Sequence, residues 1–444
     1  MPRLQKAQIR HATYYLKVLR VADDLYKKGG EQVVVSLELM DMEWGNILVG
    51  QGWAQGYGLQ SKTLAYLISN YASAGVYLLE MRLHPREYIR WLEAGLEAAR
   101  HLGNRTVECN HLGSLGNTYA NMGKTQQAVR YYQEALSISE NLGLDRVVGV
   151  TCGNLGDAYL ELGNTDEALF YLERALDTSK RLDDARFEEE TLHSLGVFYA
   201  SIGAPYRAID YYQEALDLAQ AIDDLRGEGA ILGNLGLAFA DLGDFEKAQT
   251  YLELSLNTTQ KLGDKRFESQ ILGNLGVLFS DLGQYEIALK YHFAALVLSR
   301  EVGDRRSEGQ DLGNIGTVYR YTGELKVALD YQLQALAVSR EIGNRREEGR
   351  VLSNIANAYR DLGELQLAKD YYNKSLPFLI ETEDRRGEAY ASWGLGLIYA
   401  ELGDFKQAIP LLQKCIDYEI AIEHPQAEAD TLFLNELKSS LTDA

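Results

Sequence analysis

A forty-residue repeat runs through most of this chain and constrains its fold more than any other feature. The hexapeptide ILGNLG occurs at residues 231–236 and again at residues 271–276 of the 444-residue chain. Between residues 111 and 430 the chain divides into eight such repeats without insertion or deletion. Repeats of roughly 20–50 residues are typical of arrays in which each repeat packs mainly on its neighbours. We therefore expect one stacked array rather than several globular domains.

Each repeat is predicted to be a pair of antiparallel α-helices. Apolar residues recur at intervals of three and four along both halves of a repeat, which is the period of an amphipathic helix. A glycine at the same place in every repeat is expected to end the first helix, because glycine readily adopts the left-handed conformation of a helix terminus. These glycines are Gly123, Gly163, Gly203, Gly243, Gly283, Gly323, Gly363 and Gly403. The residues expected to cap the first helices are Asp184, Asp224, Asp264, Asp304, Asn344 and Asp384.

The repeated pattern resembles the tetratricopeptide repeat. The residues that match the small-and-aromatic signature of that family are Leu232, Leu235, Gly236, Phe239 and Ala248, with Ser255 in place of its last alanine. A repeat of forty residues is similar to the subclass found in kinesin light chains and in Leu-Gly-Asn-repeat adaptors. The resemblance covers residues 71–430. It implies an all-α fold, a right-handed superhelical solenoid of helix pairs, and a scaffold for partners that the fold alone does not specify.

Three segments are predicted along the chain. Residues 1–70 have helical patterning outside the forty-residue period, residues 71–430 hold about nine repeats, and residues 431–444 form a capping helix. The first segment carries eight Lys or Arg and six Asp or Glu, so it is near +2, although the whole chain has a net charge of −20. This step in charge supports a boundary near residue 70.

The first segment resembles the helical linker that precedes the repeat array in bacterial STAND-type signalling ATPases. The matching residues are His11, Tyr14, Tyr15, Leu16, Glu43, Trp44, Asn46 and Ile47. The resemblance implies that the array is the ligand-sensing part of such a switch, with its nucleotide module on another chain or segment. The alternative is an N-terminal cap over the apolar face of the first repeat, which a stacked array requires.

A polar residue interrupts the apolar phrase of most repeats and is the first candidate for function. Five of the eight repeats carry asparagine at this position, namely Asn154, Asn234, Asn274, Asn314 and Asn354. The family resemblance implies that this position lines the concave surface where peptides are gripped. A side-chain amide offers donors and an acceptor, so it can pair with the backbone of an extended peptide whatever its side chains. The alternative is that each asparagine bonds a neighbouring helix and sets the stacking angle.

Two charged columns accompany the asparagines. Arginine stands eight residues before this position at Arg186, Arg226, Arg266, Arg306, Arg346 and Arg386, with Arg146 preceding them. Acidic residues follow the asparagine position, including Asp241, Asp281 and Asp361. An arginine in the first turn of a helix faces the unfavourable end of the helix dipole, so its recurrence indicates a carboxylate partner. That carboxylate belongs either to a bound peptide with acidic side chains or to a helix cap or acid in the adjoining repeat.

Composition and motifs argue against several other functions. The net charge of −20 disfavours nucleic acid and anionic membranes as partners, and no stretch approaches the roughly 18 apolar residues of a membrane span. Three widely spaced cysteines and an N-terminus without the apolar core of a signal peptide predict a cytoplasmic location. The GKT triplet at residues 123–125 has Thr118 where a phosphate-binding loop requires glycine, and the histidines lack metal-ligand spacing. We expect no metal, cofactor or catalytic residues.

The sequence therefore predicts a non-catalytic scaffold that binds an extended peptide or protein segment. Its groove would have an arginine edge, an amide floor and an acidic edge. The alternative is the ligand-sensing array of a STAND-type signalling ATPase. Both interpretations use the same surface and differ in what reads out the binding.

Overall fold

The computed structural model describes residues 2–28, 31–422, 424 and 426–442, and every regular element within these ranges is an α-helix. The predicted all-α array of consecutive helix pairs is confirmed over this part of the chain. Met1 and residues 443–444, at the ends of the predicted terminal segments, lie outside it. The chain divides into an N-terminal body, residues 1–227, and a C-terminal body, residues 228–444.

The helices of the N-terminal body are α1 (Pro2–Lys28), α2 (Glu31–Tyr57), α3 (Lys62–Ser73), α4 (Val76–Arg82), α5 (Pro85–Leu102), α6 (Arg105–Asn121), α7 (Thr125–Leu142), α8 (Asp145–Glu161), α9 (Thr165–Leu182), α10 (Ala185–Ser201) and α11 (Pro205–Ala221). The division falls near the start of α12 (Leu225–Asp241). The C-terminal body continues with α13 (Phe245–Leu262), α14 (Lys265–Asp281), α15 (Tyr285–Glu301), α16 (Arg305–Tyr321), α17 (Leu325–Glu341), α18 (Arg345–Asp361), α19 (Leu365–Glu381), α20 (Arg385–Glu401), α21 (Phe405–Ala421) and α22 (Ala427–Thr442). In the regular repeats the even-numbered helices, α6 to α20, come first and the odd-numbered helices come second.

Each first helix is followed by a glycine with a left-handed backbone. The eight predicted glycines have φ between 69° and 83°, a conformation that costs a residue with a Cβ about 1–2 kcal/mol. The predicted helix ends are therefore confirmed. Most second helices end in the same way, but Asp183, Asp223 and Glu383 occupy this place with φ between 53° and 55°.

The predicted N-caps are also confirmed. The Asp184 carboxylate accepts a hydrogen bond from the Phe187 backbone N–H at 3.2 Å, and the Asn344 amide oxygen accepts one from the Glu347 backbone N–H at 3.2 Å. Equivalent bonds form at Asp224, Asp264, Asp304 and Asp384. Each bond satisfies one of the N–H groups that a helix start leaves unpaired.

In seven of the eight regular repeats the two helices cross closely because a glycine of the first helix faces a side chain of the second, whereas α18 has Ala356 at this position. A methyl group added at Gly236 would lie 2.6 Å from Leu252 Cγ, and one added at Gly276 would lie 2.5 Å from the His292 ring. Leu252 and His292 are both 1% exposed. No residue larger than glycine fits at either crossing without displacing a buried side chain.

Close to the turn that joins the two helices of a repeat, an aromatic ring of the first helix stacks on one of the second. The rings of Phe279 and Tyr291 stack with centroids 5.4 Å apart and 9° between their planes. The equivalent pairs are Tyr119–Tyr131, Tyr159–Tyr171, Tyr199–Tyr211, Phe239–Tyr251, Tyr319–Tyr331 and Tyr359–Tyr371. Such pairs add about 0.5–1.5 kcal/mol each beyond the area that they bury.

The helices before the forty-residue period share a core with the first repeats. Ser36 Oγ of α2 donates a hydrogen bond to the Ala22 carbonyl of α1 at 2.7 Å. Tyr71 of α3 is fully buried, and its hydroxyl donates to the Ala12 carbonyl at 2.7 Å. The same hydrophobic cluster continues through Trp91 of α5 into α6. These helices therefore cover apolar surface that the first repeats present.

Two glycines one turn apart on α14 are expected to respond differently to substitution. Gly276→Ala should lower the free energy of unfolding by about 1–3 kcal/mol, because the new methyl group overlaps the buried His292 ring. Gly273→Ala should leave it unchanged or raise it by up to about 1 kcal/mol, because alanine favours the helix. Its methyl group would meet only Asp311 Oδ1 of a described neighbouring helix, at 3.5 Å. Urea unfolding followed by circular dichroism measures both, and equal losses would contradict this crossing geometry.

Substituting glycine at the end of a second helix that lacks it is expected to stabilise the protein. Glu383 has a φ of 53°, which is strained for a residue with a Cβ, so Glu383→Gly is expected to raise the free energy of unfolding by about 1 kcal/mol. Gly343 has a φ of 68° at the equivalent position, so the reverse change, Gly343→Glu, should lower it by a similar amount. Calorimetry of the two variants tests the pair. A gain from both would show that the backbone conformation is not the cause.

Candidate functional site

Three successive first helices of the C-terminal body line one open cavity. Its volume is about 580 Å³, and its walls come from α14, α16 and α18 with the N-cap residue that precedes α16, Asp304. We call this space the groove cavity. The lining residues on which its chemistry depends are Asn274, Arg306, Asp311, Asn314, Glu347, Arg350 and Asn354. Of the predicted groove residues, the cavity thus brings together three asparagines and one arginine.

Helix geometry explains why the asparagines face the cavity. In α14 the crossing glycine, Gly276, faces the second helix of its repeat. Asn274 lies two residues earlier, which is about 200° around an α-helix. Its side chain therefore leaves the helix on the side away from the second helix. The same spacing recurs in α16, between Asn314 and Gly316, and in α18, where the buried Ala356 takes the place of the glycine, so three amides line one wall.

The asparagines of the groove cavity are half-buried and are available to a ligand. Among the described residues, the side chains of Asn274, Asn314 and Asn354 make no hydrogen bond. Asn154 of the N-terminal body differs, because its Nδ2 donates to Asn117 Oδ1 on the neighbouring first helix at 3.3 Å. Asn234 has the equivalent position on α12 and is also half-buried. A bond to a neighbouring helix, the alternative role, thus describes Asn154 and not the three asparagines of the cavity.

Most of the arginine column meets acidic or carbonyl groups of the following repeat. Arg146 Nε lies 2.8 Å from Asp184 Oδ2, and Arg186 and Arg266 make equivalent ion pairs with the caps at Asp224 and Asp304, at 3.1 and 3.2 Å. Each pair joins an arginine to the N-cap 38 residues further along the chain. The arginine side chains are 57–65% exposed, so each pair contributes about 0–1 kcal/mol. Arg226 has the equivalent position at the start of α12.

The column changes partners at its C-terminal end. Arg346 donates to the Thr382 carbonyl at 2.9 Å, because Asp384 already accepts from Arg350 Nε at 2.5 Å. Arg386 lies over the Tyr390 ring, 5.9 Å from its centroid.

Arg306 is the member of the column that the groove cavity exposes. The cap 38 residues ahead of it is Asn344, which has no charge. Within the described part of the chain Arg306 makes no ion pair, and it lines the groove cavity. The sequence contained a signal for this difference. When each arginine is compared with the residue 38 positions later, Arg306 differs from the arginines that have an aspartate cap there.

The predicted acidic edge is partly engaged within the protein. Asp361 accepts from Arg320 Nη1 at 2.8 Å. Desolvation by the surrounding protein raises the pKa of Asp241 and of Asp281, and the positive charge of Arg386 opposes this rise. In the C-terminal body the arginine column and the acidic residues therefore approach one another at Arg386.

Sequence reasoning missed Asp311, which lies on the floor of the groove cavity. It is 4% exposed and occupies a core position that holds Ile271 in the previous repeat and Val351 in the next. Burial raises the pKa of Asp311 to about 7; a hydrogen bond from Ser299 opposes this rise, and the charge of Asp304 adds to it. The only signal in the sequence was a carboxylate at a position that is apolar in the other repeats of the C-terminal body, with Ile231, Ile271, Val351 and Ala391.

The buried histidines are core residues. Burial lowers the pKa of His111 and of His292 to about 4, which keeps both rings neutral near neutral pH. His111 Nε2 lies 3.1 Å from Ser69 Oγ. Across the described ranges no group of His, Cys, Asp and Glu is placed to hold a metal ion. None of the helices described there combines the length and the apolar character that crossing a bilayer requires.

Comparison with known sequences agrees with the repeat pattern. A family model described as tetratricopeptide repeat matches residues 90–181, 187–261, 267–341 and 347–418. These matches include more than half of the chain. Comparison with curated proteins gives no match.

Several solved structures share the fold. A signal transduction ATPase with numerous domains from Pyrococcus horikoshii, which has a tetratricopeptide repeat sensor, matches with a TM-score of 0.56 at 15% identity, over 96% of this chain and 65% of that chain. A Rap protein complexed with competence and sporulation factor matches with a TM-score of 0.58 at 13% identity, over 85% and 99%. Aspartyl phosphate phosphatase F from Bacillus subtilis gives 0.51 at 13% identity, over 86% and 95%. These likenesses concern the fold alone, and this chain spans less than two thirds of the ATPase.

Stability is expected to depend on pH through Asp311. Its pKa is raised from 3.8 to about 7 in the folded state, so the stability that its protonated form contributes is present below the ordinary value and is lost as pH rises to about 7. Asp311→Asn, which cannot ionise, should therefore raise the melting temperature more at about pH 8 than at about pH 4. The control is Asp330→Asn, an exposed site on α17. Equal effects at both pH values would contradict the shift.

Proposed function

The chain belongs to the tetratricopeptide repeat family, and from this premise we propose that it is a non-catalytic scaffold whose groove cavity binds an extended peptide or protein segment. Repeat arrays of this family present a surface for protein partners, while the fold leaves the partner open. The observation that carries the proposal is the row of half-buried amides at Asn274, Asn314 and Asn354, which are without a hydrogen bond among the described residues.

The spacing of the amides suits an extended backbone. Packed helices lie roughly 8–10 Å apart, and an extended chain advances about 3.3 Å per residue. One asparagine would therefore meet the ligand at about every third residue. Because an amide both donates and accepts, this row would hold the ligand backbone with little regard for its side chains. Asn234 would extend the same row within the C-terminal body, whereas Asn154 acts first on Asn117.

Arg306 would supply the preference for acidic side chains. Arg146, Arg186 and Arg266 already meet carboxylates of the protein, so a ligand would have to compete for them. Arg306 lines the groove cavity, and the helix cap 38 residues ahead of it is the uncharged Asn344. A carboxylate of the bound segment would replace the missing aspartate, and a planar guanidinium can hold it with two hydrogen bonds.

A second candidate function is the ligand-sensing array of a signalling ATPase. It is favoured by the likeness to the Pyrococcus horikoshii protein, which extends over 96% of this chain and so includes helices before the repeats. In this proposal residues 1–70 are the linker that transmits binding, whereas in the scaffold proposal they are a cap. A native transcript that encodes a nucleotide-binding module before residue 1 would favour the sensor.

Removal of the amide row is expected to weaken binding without weakening the fold. The variant Asn274→Ala, Asn314→Ala, Asn354→Ala should enrich peptides from a synthetic library of random dodecamers at least about tenfold less than the native protein. The loss corresponds to one or two hydrogen bonds to the ligand. Its melting temperature should change little, because these amides make no hydrogen bond within the described residues. Mass spectrometry of the retained peptides measures the enrichment.

Matched variants separate the parts of the groove. Gln366→Ala, on the exposed face of the second helix α19, should leave selection unchanged. Arg306→Gln should keep peptide binding but lose the preference for Asp and Glu, whereas Arg266→Gln should keep both. A collapse of melting in the triple variant, with undiminished affinity per folded molecule, would show that the asparagines are structural.

A further inference from the structure

We propose that the floor of the groove cavity is a recognition site for a primary ammonium group, with Asp311 as its acceptor. The bound group would be a lysine side chain or the free amino terminus of the segment in the groove. The inference rests on the proposed function for the ligand that delivers this group. It adds a requirement that the ligand carry a positive charge, which the asparagine and arginine columns do not impose.

Asp311 occupies a position that is apolar and buried in the other repeats of the C-terminal body. Ile231, Ile271 and Val351 occupy the same position in other repeats and are at most 2% exposed. Asp311 is 4% exposed, and a carboxylate at such a site costs stability unless a cation or donors satisfy it. Residues that break the local rules of a fold at a stability cost are concentrated at functional sites.

The carboxylate has one engaged oxygen and one open oxygen. Oδ2 lies 3.1 Å from the Ser299 hydroxyl. Oδ1 lies above the backbone of Gly273, where an added methyl group would be 3.5 Å away. Among the described residues no cation forms an ion pair with Asp311, and no hydrogen bond reaches Oδ1. The missing side chain at Gly273 thus leaves Oδ1 open to the groove cavity.

Nearby charges favour a cation without excluding an acidic neighbour in the ligand. Glu347 lines the same cavity and makes no ion pair within the part of the chain that the structure describes. Asp304 is paired with Arg266, and Arg350 is paired with Asp384. Among the residues that the structure describes, Arg306 remains a positive charge in the cavity without an ion pair. The groove cavity therefore offers separate places for an ammonium group and for a carboxylate.

The geometry selects an ammonium group over other cations. A guanidinium binds best to both oxygens of a carboxylate in one plane, and Ser299 already contacts Oδ2. A metal ion such as Ca²⁺ requires about six to eight oxygen ligands. Among the described residues no cluster of metal-ligating side chains is placed to supply them. An ammonium group has three donors. Asp311 Oδ1 would accept one, and the side-chain amides of Asn274 and Asn314, whose oxygens can also accept, line the same space.

Two variants test the site from opposite directions. Asp311→Asn removes the charge with almost no change in shape and is expected to fold. Gly273→Ala keeps the charge and covers Oδ1 with a methyl group at an ordinary contact distance. The control, Gly113→Ala, is the same change in the same column of the N-terminal body, where an added methyl group meets no neighbouring atom within 4 Å.

The probe is a random dodecamer library prepared in three forms. The first is acetylated with lysine as its only amine, the second has a free amino terminus and no lysine, and the third has neither. We expect the native protein and Gly113→Ala to enrich one amine-bearing form over the third by about tenfold or more, the effect of a hydrogen bond to a charged group. Asp311→Asn and Gly273→Ala should lose this preference while still retaining peptides. The first two forms distinguish a lysine side chain from an amino terminus.

Two results would overturn the ammonium site. One is equal enrichment of all three forms by the native protein, and the other is an undiminished amine preference in Asp311→Asn. If no form is retained at all, the proposed peptide function fails, and n-butylammonium chloride then tests the site alone. Relative to tetramethylammonium chloride, which has no N–H donor, this salt should raise the melting temperature of the native protein more than it raises that of Asp311→Asn. Equal shifts in the two proteins would also overturn the proposal.

Discussion

The close crossing of the two helices in each repeat is the contact on which the rest of the structure depends. A glycine such as Gly236 lets the side chain of Leu252 rest directly on the backbone of the first helix. This contact determines which side of the first helix is covered. The opposite side, which carries the asparagine two residues earlier, is then left to form a groove. In ILGNLG the last glycine is thus the reason that the asparagine is accessible.

Polar side chains occupy two of the helix crossings beside the groove cavity. The residue that rests on the crossing glycine is Leu252 in one repeat, but His292 and Gln332 in two of the three repeats whose first helices line the cavity, those of α14 and α16. Gln332 donates to the Gly313 carbonyl at 2.8 Å, and Asp311 is buried nearby on α16. A core with several polar groups is less uniformly stable than an apolar one, because each group requires its own partner. These polar residues replace apolar core residues next to the site where a ligand is proposed to bind.

Local rules in the sequence were sufficient for the fold. The left-handed glycines, the aspartate caps and the helical period each act over a few residues, so Gly323 or Asp304 could be assigned from the sequence alone. The partners of the arginines could not, because they depend on how one repeat stacks on the next. Asp311 was missed for another reason: its meaning requires both its burial and the open space at Gly273, and neither is visible in a single sequence. The asparagine column lies between these cases. Its outward direction was predictable, but the sequence could not show that Asn274, Asn314 and Asn354 make no hydrogen bond among the described residues.

Asn344 is a helix cap and lies at the start of α18 rather than on the amide row. By replacing an aspartate it keeps the capping bond to Glu347 and removes the charge that would occupy Arg306. In the proposed groove, the preference for acidic ligands thus depends on a residue whose local role is to cap a helix. Arrays of this kind can diversify by exchanging Asp and Asn at caps, which alters which arginines are free while the helices and the groove floor stay the same. Specificity and foldability then evolve at the same position without opposing each other.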